Sequence, residues 1–136
     1  MALRVLIANT DEMFGELFPF YQREVTKGNI EIVGFGRRNG GVYECFSDPW
    51  ARNKIDLGNI SAQVAIISAM QNYHNWELLL RSMGVPRENI IDGRVFRAPG
   101  FDSHRFWHRE GVVCTLSEKE LPFKHDPVSI YPHTFL

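Results

Sequence analysis

Cysteine is scarce in this chain: Cys45 and Cys114 are the two among 136 residues. That density argues against a disulfide scaffold, and both thiols read as free core groups in a reducing compartment. An excess of basic charge is missing too. Lys and Arg number 15 against 16 Asp and Glu, a formal net charge of −1, so no global basic field invites nucleic acid. No apolar run approaches the roughly 18 residues that span a bilayer. The opening "MALRVLIAN" lacks the long apolar segment of a signal peptide. The expectation is a cytoplasmic location, no membrane span and no nucleic-acid partner. A phosphate-binding P-loop is absent, as are internal repeats and low-complexity segments. His104 and His108 lie four apart, the spacing of two ligands on one helix face. No cysteine or carboxylate stands at a zinc-motif spacing to them, so no metal is expected. "HRFWHRE" reads instead as an amphipathic turn that buries Phe106 and Trp107.

What is present is an alternation of periods. Val5–Ala8 is a continuous apolar run, the mark of a strand covered on both faces. Asn9 stands where it can cap a following helix, with Glu12 at capping-box spacing. Met13, Phe14, Leu17, Phe18, Tyr21 and Val25 then recur at three- and four-residue intervals, one apolar helix face. Pro19 interrupts it and predicts a kink or a split, and Lys27-Gly28-Asn29 closes it. Ile30–Phe35 is a second strand, followed by "GRRNGG" as a flexible turn. The region from Val42 to Ser61 predicts a short strand at Val42-Tyr43 and few regular hydrogen bonds. Gln63–Ser68 is a third strand. Asn72 stands as the cap of a helix whose stripe is Trp76, Leu79, Leu80 and Met83, with Glu77 and Arg81 as an i,i+4 pair. Gly84 and Pro86 end that helix, and Asn89–Asp92 is a fourth strand.

Strand and helix alternating in this way predict an α/β fold: a Rossmann-like parallel sheet of about four or five strands flanked by helices. The domain is expected to span residues 1–93. Residues 94–136 form an irregular, Pro-rich C-terminal tail, with a short helix over Ser103–Glu110. The tail either packs back on the domain or leads into an absent one.

In an open parallel sheet ligands bind beyond the carboxyl ends of the strands. Three segments should meet there, and they supply the candidate cofactor-binding residues: Asn9 and Thr10 after the first strand, Arg37 and Arg38 after the second, Ser68 and Asn72 after the third. A dinucleotide fingerprint places glycines after the first strand, so that the backbone can approach a pyrophosphate. Thr10, Asp11, Glu12 and Met13 stand there instead; the acids read either as helix-terminal charges or as direct ligand contacts. An acidic residue usually follows the second strand, where it holds a ribose. Arg37 and Arg38 occupy that place, and an arginine there accommodates a phosphate, as in NADP recognition.

The pieces "RVLIAN", "IEIVGF", the "GG" after it, "AQVAIISA" and "LLLRSMGVPRENIIDG" together resemble a known module. The chain from about Leu3 to Gly93 is similar to the small Rossmann-like domains of bacterial surface-polysaccharide biosynthesis proteins. Those domains accompany sugar-nucleotide dehydratases and epimerases, sugar acyltransferases and glycosyltransferases. The resemblance implies a nucleotide- or nucleotide-sugar-binding accessory domain, with NAD(P) or a UDP-sugar as ligand, that is not an enzyme by itself. Two alternatives stay open. One is an NADP-dependent oxidoreductase or sugar transferase that uses the same cleft. The other is an assembly module that binds no nucleotide and docks a second copy or a downstream catalytic domain through its aromatic tail.

Overall fold

A computed structural model of the protein describes residues 2–10, 14–49, 53–68 and 71–107. Its centre is a six-stranded sheet. In chain order the strands are β1 (Leu3–Ala8), β2 (Ile30–Asn39), β3 (Val42–Phe46), β4 (Lys54–Ile55), β5 (Val64–Ile67) and β6 (Ile90–Asp92). Three α-helices accompany them: α1 (Phe14–Thr26), α2 (Tyr73–Ser82) and α3 (Ser103–Trp107). The spatial order is β4-β3-β2-β1-β5-β6. β2, β1, β5 and β6 run parallel, while β3 and β4 add to the β2 edge antiparallel. The fold is thus a mixed α/β fold with a mostly parallel sheet.

Two expectations need correction here. The sheet has six strands, not four or five, and it is not purely parallel. Both differences have one cause. β2 does not stop at Phe35 but runs on to Asn39, turns at Gly40-Gly41 and pairs back with β3, so that Arg37 lies opposite Glu44 and Arg38 opposite Tyr43. Arg37 and Arg38 therefore belong to a hairpin strand and not to a flexible turn. β3 in turn pairs with β4, which gives regular hydrogen bonds to a region expected to have few.

The sheet is covered on both faces. Val5, Ile7, Phe35, Val64, Ile66 and Ile91 form one core with Leu17 and Tyr21 of α1. Leu6, Ala8, Cys45, Ala65, Ile67 and Ile90 form the other with Tyr73, Trp76 and Leu80 of α2. All four β5 side chains are fully buried, as the unbroken apolar run predicts for a central strand. Burying each of its isoleucines contributes about 1.5–3 kcal/mol. The register between β1 and β2 shifts after Val5, pairing Val5 with Ile32 but Leu6 with Gly34. One extra β2 residue is accommodated there, and later β2 side chains change face. Phe35 consequently joins the α1 core, while Gly36 lies under Trp76 on the α2 side, where a Cβ would come 2.8 Å from the ring.

Helix α1 runs unbroken through Pro19. The proline lies inside the helix on its exposed side, so the carbonyl of exposed Gly15, which its missing N–H leaves unbonded, can turn to water. The apolar face is narrower than its spacing suggests. Val25 is exposed and Glu24 is buried in its stead, its carboxylate accepting from Asn29 Nδ2 at 3.0 Å and facing Lys27 Nζ at 3.4 Å. Both longer helices end as expected. Gly28 and Gly84 are left-handed, and the amides of Asn29 and Val85 reach back to the carbonyls of Glu24 and Leu80, the paired closure of a Schellman motif. The expected Glu77–Arg81 pair does not form among the described residues.

Past β6 the chain makes a short 3-10 turn over Gly93–Arg97 and enters α3. Val95, Phe96, Phe106 and Trp107 from this stretch share the α1 core. Phe96 stacks on Phe20 with ring centroids 4.6 Å apart. The expected continuation of the short helix to Glu110 and the rest of the Pro-rich tail lie outside the described residues. Among the described residues no helix is long and apolar enough to cross a membrane.

Candidate functional site

The parallel strands lie in the order β2-β1-β5-β6. From β1 the chain moves to one side, into β2; β5 then stands on the other side of β1. The direction of winding reverses between β1 and β5, and such a switch point is where open α/β sheets bind their ligands. Asn9-Thr10 leaves β1 there and Ser68 leaves β5.

Both loops turn in an uncommon way. Asn9 has φ 62° and Asn72 has φ 58°, and they are the two non-glycine residues with positive φ among the described residues. Asparagine enters this left-handed region at less cost than other residues with a side chain. The start of α1 before Phe14, where Asn9 was expected to act as cap, lies outside the described residues. The Asn9 Nδ2 donates to the Gln71 carbonyl, just before α2, at 2.5 Å. Asn72 precedes α2 but makes no side-chain capping bond, against expectation; its left-handed backbone directs the chain into the helix. The Thr10 amide donates to the Gly36 carbonyl at 3.2 Å and ties the first loop to β2. Asp11, Glu12 and Met13 lie outside the described residues.

Ser68 is fully buried, and its hydroxyl lies 3.0 Å from the phenol of Tyr21, which is buried as well. Burial raises the Tyr21 pKa far above the ordinary tyrosine range; the Ser68 bond opposes this and the Asp92 carboxylate adds to it. Tyr21 therefore stays a neutral phenol. Its work is to hold the end of β5 against α1, and the Ser68 hydroxyl is shared with it.

Asp92 ends β6, register-paired with Ile67 of β5. Its side chain is 2% exposed and meets the Arg94 guanidinium in a fork. Arg94 Nη2 donates to Oδ2 at 2.8 Å and Nε donates to the same oxygen at 3.0 Å, while the Arg94 amide donates to Oδ1 at 2.9 Å. Gly93 between them packs against the end of β5: a Cβ there would meet the Ile67 carbonyl, Ser68 Cα and a Leu17 methyl, each at 3.1 Å. One turn on, Arg97 Nη2 reaches Glu16 in the first turn of α1 at 3.2 Å. Sequence reading missed this pair of arginines. The available signal was an apolar strand ending in Asp, then Gly-Arg.

Arg37 and Arg38 are arranged differently. Successive strand residues face opposite sides of a sheet, and each guanidinium covers a ring on its own side, Arg37 over Phe46 at 5.2 Å and Arg38 over Tyr43 at 5.9 Å. The two do not converge. Glu44, opposite Arg37, pairs with Lys54, and the Lys54 hydrogen bond lowers its pKa, assisted by the Arg37 charge.

Cys45, the cysteine among the described residues, lies on the α2 side of the sheet in β3. Cys45 is buried and free; burial pushes its thiol up to about 11, so it is protonated and unreactive at neutral pH. His108 lies outside the described residues, as does Cys114.

No family model matches this chain, and no curated protein matches it.

Proposed function

We propose that this chain is a Rossmann-like domain that binds a nucleotide or nucleotide-sugar at the carboxyl ends of β1 and β5. Its role is that of an accessory domain in surface-polysaccharide biosynthesis, binding ligand while another domain carries out the chemistry. The observation that carries the binding part is the pair of left-handed asparagines. Asn9 and Asn72 flank the switch point, and both stand where glycine would otherwise let a backbone turn close to a ligand. Uncommon backbone conformations gather at binding sites because the surrounding fold must hold them. The ladder from Asn9 Nδ2 to the Gln71 carbonyl fixes the two loops relative to each other, which supports a preorganised site. The polysaccharide part rests on the resemblance of "IEIVGF", "AQVAIISA" and "LLLRSMGVPRENIIDG" to the domains named above.

Calorimetric titration with UDP-glucose, NAD and NADP tests the reading. Binding of one of them, weakened by Asn9→Ala in a chain that still melts cooperatively, is the expected result. No heat at millimolar concentrations of all three would overturn it.

A further inference from the structure

We propose that a cleft beside the last turns of α1 binds a small aromatic carboxylate, at a site separate from the switch point between β1 and β5. The inference does not depend on the nucleotide-binding reading.

The fold supplies the cleft. Leu17, early in α1, lies beside Gly93 and the end of β5. The end of α1 leads through Asn29 to Ile30, which pairs with Leu3 at the start of β1. The helix thus runs back along the sheet, and its last turn lies at the opposite end from the switch point. The chain that follows β6 runs beside it. Where Ala98 to Ser103 passes the last two turns of α1 there is a cavity of about 300 Å³. That is the lower end of the range of small-molecule pockets, roughly 300–1,000 Å³.

One wall is aromatic. Phe20 and Phe96 stack at 4.6 Å, and Phe101 meets both edge-on, at 6.0 and 5.3 Å. Phe96 is buried, while Phe20 and Phe101 are half-buried and line the cleft with it. The three rings hold one another in place, so a planar ligand finds faces and edges already set for ring contact.

The other wall is charged. Arg23 and Lys27 are four residues apart and so share one face of α1, with Glu24 beside them. The Glu24 carboxylate is buried and occupied: it accepts from Asn29 Nδ2 at 3.0 Å and faces Lys27 Nζ at 3.4 Å. Arg23 is exposed and pairs with no carboxylate among the described residues. Two cations against one anion leave a single positive charge, which a carboxylate neutralises. A guanidinium fork takes a carboxylate through two parallel bonds, so Arg23 makes the direct contact. Lys27, already drawn to Glu24, adds a weaker one. Like charges one turn apart repel, and an anion between them relieves that repulsion.

Calorimetry on the full chain tests this with naphthoate as the probe. Naphthalenemethanol supplies the ring without the charge, and acetate the charge without the ring. Naphthoate should give binding heat at millimolar concentration, and both controls should bind about tenfold more weakly or less. Arg23→Gln, at an exposed position, should weaken naphthoate about tenfold and leave naphthalenemethanol unchanged. Phe101→Leu keeps apolar bulk but not the ring, and should weaken both ring compounds about threefold. Asn9→Ala, at the switch point, should leave naphthoate affinity within about twofold. No heat from naphthoate, or heat that Arg23→Gln does not alter, would overturn the inference. Equal weakening of naphthoate and naphthalenemethanol by Arg23→Gln would show a structural role alone and overturn it as well. Weakening by Asn9→Ala without any by Arg23→Gln would move the ligand to the switch point, overturning this site and leaving the nucleotide reading intact.

Discussion

The turn after β6 and the β2–β3 hairpin each carry two arginines, and they hold them by different physics. In the turn, Arg94 is locked to a buried carboxylate by three donors within two residues of sequence. In the hairpin, Arg37 and Arg38 rest on the faces of Phe46 and Tyr43 at 5.2 and 5.9 Å. The first arrangement is rigid because breaking it strands a buried charge; the second is soft because water can replace each ring contact. Adjacent arginines in the sequence suggested one anion site, yet strand geometry sends them to opposite faces.

The largest expected effect sharpens this contrast. Asp92→Ala removes the buried carboxylate that accepts from Arg94 and should destabilise the fold by about 3 kcal/mol, read as a lower urea midpoint with unchanged slope. An effect near zero would make the turn as soft as the hairpin. Tyr21→Phe removes the partner of a fully buried Ser68 hydroxyl and should cost about 1–2 kcal/mol. Adding Ser68→Ala to it should cost less than the sum of the two single changes. Arg37→Ala or Arg38→Ala should each cost about 0.5 kcal/mol; a loss comparable to that of Asp92→Ala would erase the difference between the regions. The smallest effect is a titration. Glu44 is held below the ordinary glutamate range chiefly by the Lys54 hydrogen bond. Its contribution to stability is present above the unfolded-state value of about 4.3 and is lost as pH falls through the lower folded value. An NMR titration should show that depressed midpoint, and Lys54→Met should return it toward the ordinary range.

Much of the frame was readable before the structure. "VAII" and "VLIA" are unbroken apolar runs, and both proved to be strands buried on two faces. Gly28 and Gly84 stopped the helices where their sequences said they would. What escaped notice depended on contacts distant in the chain. "GRRNGG" has the composition of a turn, but the first residues of it stay in the sheet because β3 offers backbone partners and rings to cover the charges. Asn72 carries the residue type of a helix cap, and only its dihedral angles and missing capping bond show that it serves as a left-handed turn. Asp92 looked like the polar end of a strand. Its burial follows from the approach of Gly93 to β5 and α1, and no local pattern encodes that.

The most direct test of the account is a proton–nitrogen correlation spectrum of the labelled chain titrated with UDP. The account predicts shifts concentrated at the amides of Asn9, Thr10, Ser68, Gln71, Gly93 and Arg94, with those of Val42 to Phe46 nearly still. Shifts confined to the β2–β3 hairpin, or none at millimolar UDP, would contradict it.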